Sequence, residues 1–293
     1  MSFRITQNMM NQTMLSNLQS NYRALDQTQK QLSSGKKIDK PSDNPVTAVR
    51  SMYYQSSLNE IDQYKRNASD GSSWMQTTDE GLDQVTQVLQ RVRELTVQAS
   101  NDTNDQNARN AIAAEMSQLK DHLGEVANSE IGGKFIFAGT DTKTPPYDTS
   151  QKQFTNTNQQ PINYQVGKSS SVQINVSGVD VFNHNGGVFK LIDTIVGDIQ
   201  GGINPNSQLN NLDEQLDNVL THRSELGARV NRMDLSSSRL DDLELSTNNL
   251  LSEEADVDIA KAMTDFSAQQ NVYRSALSVG AKIIQPSLLD FLR

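Results

Sequence analysis

The chain has 293 residues, 35% apolar and 5% aromatic, with one Trp, no Cys and a formal net charge of −9. That apolar share lies below the roughly 45–50% of compact globular chains, which excludes one thick core and leaves thin helical bundles that each hide one stripe. Without Cys there is no disulfide framework, thiolate metal site or cysteine nucleophile; no apolar run reaches the ~20 residues of a membrane span, and the acidic balance opposes broad nucleic-acid binding.

From Leu15 the apolar positions step by three and four through Leu18, Tyr22, Leu25, Gln29 and Leu32. This is a narrow coiled-coil-like stripe. Ser33-Ser34-Gly35 ends it, and residues 36–45, with two prolines and no periodicity, read as an extended linker. Within that linker stands Pro41-Ser42-Asp43-Asn44-Pro45. Asn44 before Pro45 has the chemistry of an N-cap followed by proline at the first helical position. A second helix is expected from there to about residue 100, with a softer patch at Ser69-Asp70-Gly71-Ser72-Ser73, and a third to about Asn128.

The middle changes character. Residues 135–189 hold seven of the sixteen aromatics, with alternating runs at 162–166 and 172–176 that predict half-buried strands. Asn185-Gly186-Gly187 reads as a turn, and residues 189–199 as a short helix. Helix returns with the seam Leu209, Leu212, Leu216, Val219, Arg223, Leu226, Val230, Met233, Ser237 and Leu240. A last helix is expected to open near Ser252, where Glu253, Glu254, Asp256 and Asp258 would favour its N-terminal dipole. Its stripe is Ile259, Met263, Phe266, Gln270, Tyr273, Leu277, Gly280, Ile284, Leu288 and Phe291.

The expected fold is mainly α with a small β-rich insert: an elongated helical bundle made from both chain ends. Its divisions are 1–40 plus 253–293 (a terminal helical domain), 41–134 plus 204–252 (a central bundle) and 135–203 (the insert). Both ends carry apolar seams, and their charges are complementary, +4 over 1–40 and −2 over 253–293. A two-helix hairpin buries too little to be robust alone. Other copies of the chain are therefore expected to complete the burial; Pro286 either ends the last helix in a frayed terminus or bends its stripe toward a neighbour.

Catalytic chemistry is not legible. His122, His184 and His222 lie in different elements, and His222 with Glu225 lacks a third metal ligand nearby. The carboxylate clusters 241–244 and 253–258 fit solvated helix faces and helix starts. No phosphate-cradling glycine motif or nucleophile–base–acid set is present. The start, MSFRITQNMM, lacks the basic-then-apolar pattern of a cleaved leader.

Three segments carry a resemblance: Leu32-Ser-Ser-Gly-Lys-Lys-Ile-Asp-Lys-Pro-Ser-Asp-Asn-Pro45, Gln90-Arg-Val-Arg-Glu-Leu-Thr-Val-Gln-Ala-Ser100, and Asp256-Val-Asp-Ile-Ala260 with Gln285-Pro-Ser-Leu-Leu-Asp-Phe-Leu292. They are similar to the flagellin family. Pro41 to Pro45 stands where filament-forming members carry a DDAAG-like run, and so resembles the junction-type members. The resemblance implies layered helical domains without enzymatic activity, a metal or a cofactor, and a place between hook and filament. It implies hook-associated protein 1, flagellin and further copies in a ring as partners, with no nucleic acid and no membrane. It further implies export through the flagellar type III apparatus, with a cytoplasmic export chaperone on the C-terminal helix. The assembly seam would be Leu15, Leu18, Tyr22, Leu25, Leu32, Ile259, Met263, Phe266, Tyr273, Leu277, Ile284, Leu288 and Phe291.

Overall fold

The computed structural model describes residues 7–101 and 105–284, with side chains from 9 to 281. Seven α-helices are described: α1 Gln7–Ser34, α2 Pro45–Ala99, α3 Gln106–Ala127, α4 Gly178–Phe182, α5 Val188–Gln200, α6 Leu209–Ala255 and α7 Ile259–Ile284. Six short strands lie between α3 and α4. They are β1 Glu130–Ile131, β2 Lys134–Phe135, β3 Tyr147–Asp148, β4 Gln153–Phe154, β5 Asn163–Gly167 and β6 Ser170–Gln173. They form three separate two-stranded antiparallel hairpins, not one sheet. The expected mainly helical fold with a small β insert is therefore what is observed.

The chain divides into two compact units, residues 1–59 with 244–293, and residues 60–243. Both long helices, α2 and α6, contribute to each.

The unit of residues 60–243 holds the main apolar core. On α6, Leu212, Val219, Leu226, Met233 and Leu240 recur every seven residues and are buried, as the sequence seam predicts. The first four share a core with Met75, Leu82, Leu89 and Leu95 of α2, Met116 and Leu123 of α3, and Ile192 and Ile195 of α5. Burying each such side chain contributes about 1.5–3 kcal/mol. Charged pairs border this core: Arg223 grips Asp79 and Asp83 at 2.8 and 2.6 Å, Arg93 meets Asp213 at 2.6 Å, and Arg91 meets Glu115 at 2.7 Å.

The soft patch at 69–73 does not interrupt α2. Gly71 instead admits close neighbours, since a Cβ there would lie 2.8 Å from the Met233 side chain and 3.1 Å from Ile174. The insert packs into the same core. Phe182 contacts Phe137, Phe154 and Phe189 with ring centroids 5.2–5.9 Å apart, and Tyr147 meets Phe189 at 4.7 Å.

The first alternating run is strand β5, but the second is strand only to Gln173. Beyond it, the Asn175 side chain takes over the ladder's role, accepting from Ile162 N at 2.8 Å and donating to Gln160 O at 3.0 Å. Asn175 is itself buried, so these bonds also satisfy a polar group that would otherwise be costly.

One helix boundary differs from expectation. Helix α6 runs on to Ala255, so Glu253 and Glu254 end a helix instead of opening one, and α7 begins at Ile259. Asp258 caps that start by accepting from Lys261 N at 3.1 Å.

Candidate functional site

In the unit formed by the chain ends, α1 and α7 run antiparallel, as contacts at both ends of the pair require. Thr28 Oγ1 donates to Gln269 Oε1 at 2.8 Å, and Met14 sits directly over Gly280. The less exposed residues of α1 include Asn11, Met14, Leu18, Asn21, Leu25, Thr28 and Leu32; on α7 they include Ala262, Phe266, Gln269, Tyr273, Ala276 and Gly280. Both sets step by three and four.

This seam differs in register from the sequence expectation. Leu18, Leu25, Leu32, Phe266 and Tyr273 face the partner helix. Leu15 does not, being 57% exposed, nor do Met263 at 60%, Ile259 or Leu277; Tyr22, also 57% exposed, reaches the partner helix at the margin, where its ring meets Tyr273. Ile284 ends α7, and Leu288 and Phe291 lie outside the described residues. The physical reason is packing at close range. Ala276 and Gly280 let the backbones approach, and the Thr28–Gln269 bond satisfies two polar side chains in the seam. The seam thus mixes large apolar residues (Met14, Leu18, Leu25, Leu32, Phe266 and Tyr273) with small and polar ones, and other large apolar residues are left outside it.

Those outer residues fall on two opposite flanks. Positions just before the seam residues, Met10 and Asn17 on α1 with Val272 and Val279 on α7, line an apolar groove that also includes Met9, Thr13, Ser275 and Ala276. Positions just after the seam residues, Leu15 and Tyr22 with Met263 and Leu277, project from the other flank. One flank is thus a groove floored by small residues, and the other a row of large side chains. The Tyr22 and Tyr273 rings lie 6.1 Å apart at the edge of that row.

The linker motif is built from its own side chains. The Asp43 carboxylate accepts from Lys40 N at 2.9 Å and Asp39 N at 3.3 Å, and the Asp43 N–H donates to Lys40 O at 2.9 Å. Asn44 Oδ1 accepts from Thr47 N at 3.3 Å, capping α2 with Pro45 at its first position. Pro41 and Ser42 are exposed. Upstream, the linker is tied to the α6–α7 connection: Lys37 N donates to Ala255 O at 2.7 Å and Val257 N to Gly35 O at 2.9 Å. Arg50 adds an ion pair to Glu254 at 2.9 Å. Sequence reading missed this clasp, because nothing in residue type marks backbone pairing between segments 220 residues apart.

Next to the clasp, α2 exposes Val46, Val49, Met52 and Tyr53, and α6 exposes Leu245 and Leu250. This second apolar surface in the terminal unit also went unread, because those residues do not form a continuous seam. Among the described residues no group of three His, Cys, Asp or Glu could hold a metal ion, and no helix is long and apolar enough to cross a membrane. His222 lies 3.7 Å from Glu225.

The chain matches the bacterial flagellin N-terminal helical region over residues 5–142 and the flagellin C-terminal helical region over 209–292. It is 30% identical to a flagellin of Halalkalibacterium halodurans, covering 89% of each chain. It is 25% identical to flagellar hook-associated protein 3 of Escherichia coli, covering 84% of this chain and 86% of that one. Among solved structures, its fold is similar to hook-associated protein 3 of Legionella pneumophila (15% identity, TM-score 0.63, 69% of this chain and 98% of that one). It is likewise similar to FlgL of Bacillus cereus (22% identity, TM-score 0.59, 68% and 99%).

Proposed function

The chain belongs to the flagellin family, and from that premise we propose that it is the structural adaptor joining the flagellar hook to the filament. The observation that carries this reading is the match of its fold to hook-associated protein 3 structures over nearly their whole length. The Pro41–Pro45 motif, an Asp43 turn joined to an Asn44 cap, supports it.

In this reading the protein acts by binding and not by catalysis. Its terminal helix pair packs between neighbours, with the row of Leu15, Tyr22, Met263 and Leu277 seated in the groove flank of the next copy. Unlike flanks make a head-to-tail contact, which generates rings or helical tubes and not closed dimers. Hook-associated protein 1 on one side and flagellin on the other complete the stack. Before assembly the chain passes through the flagellar export apparatus, a cytoplasmic chaperone holding its C-terminal stripe. The seams at Leu288 and Phe291 belong to the same assembly surface. The charge of −9 and the thin seams keep the waiting subunit soluble.

The test is addition of the purified chain to isolated hook ends carrying hook-associated protein 1, scored by electron microscopy before and after flagellin is supplied. The expected result is a limited cap that then nucleates filament. A Leu15→Asp, Tyr22→Asp variant should keep the folded unit of residues 60–243 but attach at least tenfold less. A second reading, a filament subunit, is favoured by the higher identity to the Halalkalibacterium halodurans flagellin. Indefinite elongation by this chain alone would establish that reading and overturn the first.

A further inference from the structure

The chain has nine Met and no Cys, so its only sulfur chemistry is that of thioethers. Those thioethers are partitioned between the two units. Met75, Met116 and Met233, the methionines of residues 60–243, are at most 1% exposed. Met9, Met10, Met52 and Met263, all in the terminal unit, are 46–66% exposed. Met14 lies half-buried beneath Met10 in the groove flank.

We propose that Met9 and Met10 form an oxidant-sensitive modification site that controls whether the groove flank accepts a neighbouring copy. This rests on the assembly role proposed above. The reaction is transfer of one oxygen atom from a peroxide. The thioether sulfur is oxidised by two electrons, its S–O bond forms as the O–O bond breaks, and water leaves. A dithiol-dependent sulfoxide reductase reverses it, releasing water and a disulfide.

The product is polar and chiral where the reactant was apolar and flexible. In the isolated pair, the sulfoxide oxygen is accommodated: the groove walls carry Thr13, Asn17, Asn271 and Ser275, whose hydroxyl or amide groups can donate to it. Against a second copy, each sulfoxide oxygen loses its water and lies against Leu15, Met263 and Leu277, which offer no donor, so a lone pair that no wall residue holds goes unsatisfied. An unsatisfied buried acceptor is costly, so oxidation leaves the subunit folded and blocks its docking. The sealed core methionines keep the other unit unchanged under the same conditions.

The experiment treats the full-length chain with dilute hydrogen peroxide, maps sulfoxides by peptide mass spectrometry, and measures attachment to hook ends. Each protein is compared with its own untreated sample. Sulfoxides are expected at Met9 and Met10 and not at Met75, Met116 or Met233, with attachment falling about tenfold or more and recovering after sulfoxide reductase. A Met9→Leu, Met10→Leu variant, which has no sulfur at those positions, should lose less than twofold on treatment. Unchanged attachment with both sulfoxides confirmed would overturn the proposal. An equal treated-to-untreated loss in the variant would overturn it too, because the sensitivity would then lie at another methionine, such as Met14, Met52 or Met263. Failure of the untreated chain to attach would instead overturn the assembly reading.

Discussion

Tyr147 shows how a single side chain reports on the packing of the insert. Its ring is almost fully buried against Gly124 and Phe189, and its hydroxyl has no hydrogen-bond partner among the described residues. Burial, reinforced by the charges of Asp121, Asp193 and Asp148, pushes its phenol up from 10.0 to about 12. A raised folded-state pKa on a group that is neutral when protonated gives stability that is fully present below pH 10. That stability is lost as pH rises from 10 through about 12. Ultraviolet titration should show one tyrosine ionising near pH 12, with stability declining over that window; a Tyr147→Phe variant should lack the decline. Because the hydroxyl is unpaired, Tyr147→Phe should be neutral or stabilise the fold by up to about 1 kcal/mol. By contrast, Gly124→Ala places a Cβ 2.3 Å from the Tyr147 ring. It should cost about 1–3 kcal/mol by overpacking, measured by urea unfolding. Neither Gly124 nor Gly71 could be read as a packing site from sequence, since a glycine in a helix also looks like a break.

At the scale of elements, the terminal pair is built for exchange. A seam only two helices thick, in which Leu18, Leu25, Leu32, Phe266 and Tyr273 alternate with Asn, Thr, Gln, Ala and Gly, buries far less apolar surface than the core of residues 60–243. Limited proteolysis of the monomer should therefore cleave α1 and α7 before anything in residues 60–243. The Thr28–Gln269 bond fixes the register of the pair. Thr28→Val alone leaves Gln269 unpaired and should speed hydrogen exchange in both helices, by about 1 kcal/mol of local stability. Thr28→Val with Gln269→Leu should recover that loss, because both polar partners are removed together. Sequence patterning found the helices, their stripe on α6 and the turn motif before α2. The expected assembly seam and the α1–α7 contact share Leu18, Leu25, Leu32, Phe266 and Tyr273 and differ by one position elsewhere, because apolar size alone does not say which face meets the partner helix. At those other positions the contact takes Met14, Asn21, Ala262 and Ala276, and the adjacent Leu15, Tyr22, Met263 and Leu277 stay exposed.

For the whole molecule, low apolar content and terminal seams have one explanation. The core of residues 60–243 is buried within that unit, and the chain ends expose apolar side chains that, in the proposed assembly, a neighbour covers. The family was legible in long motifs at both ends, since those segments encode caps, turns and seams with tight residue requirements. The insert was legible only as strands, a turn and a helix. Its three hairpins owe their arrangement to non-local contacts, such as Asn175 with Gln160 and the rings around Phe182, which local pattern does not encode. The turn at Gly132-Gly133, where an added Cβ meets nothing within 4 Å, offers a site for a small epitope tag. Immunogold electron microscopy of intact flagella carrying that tag tests the junction role most directly. A single band of label at the hook–filament boundary is the predicted result, and label along the length of the filament would contradict it.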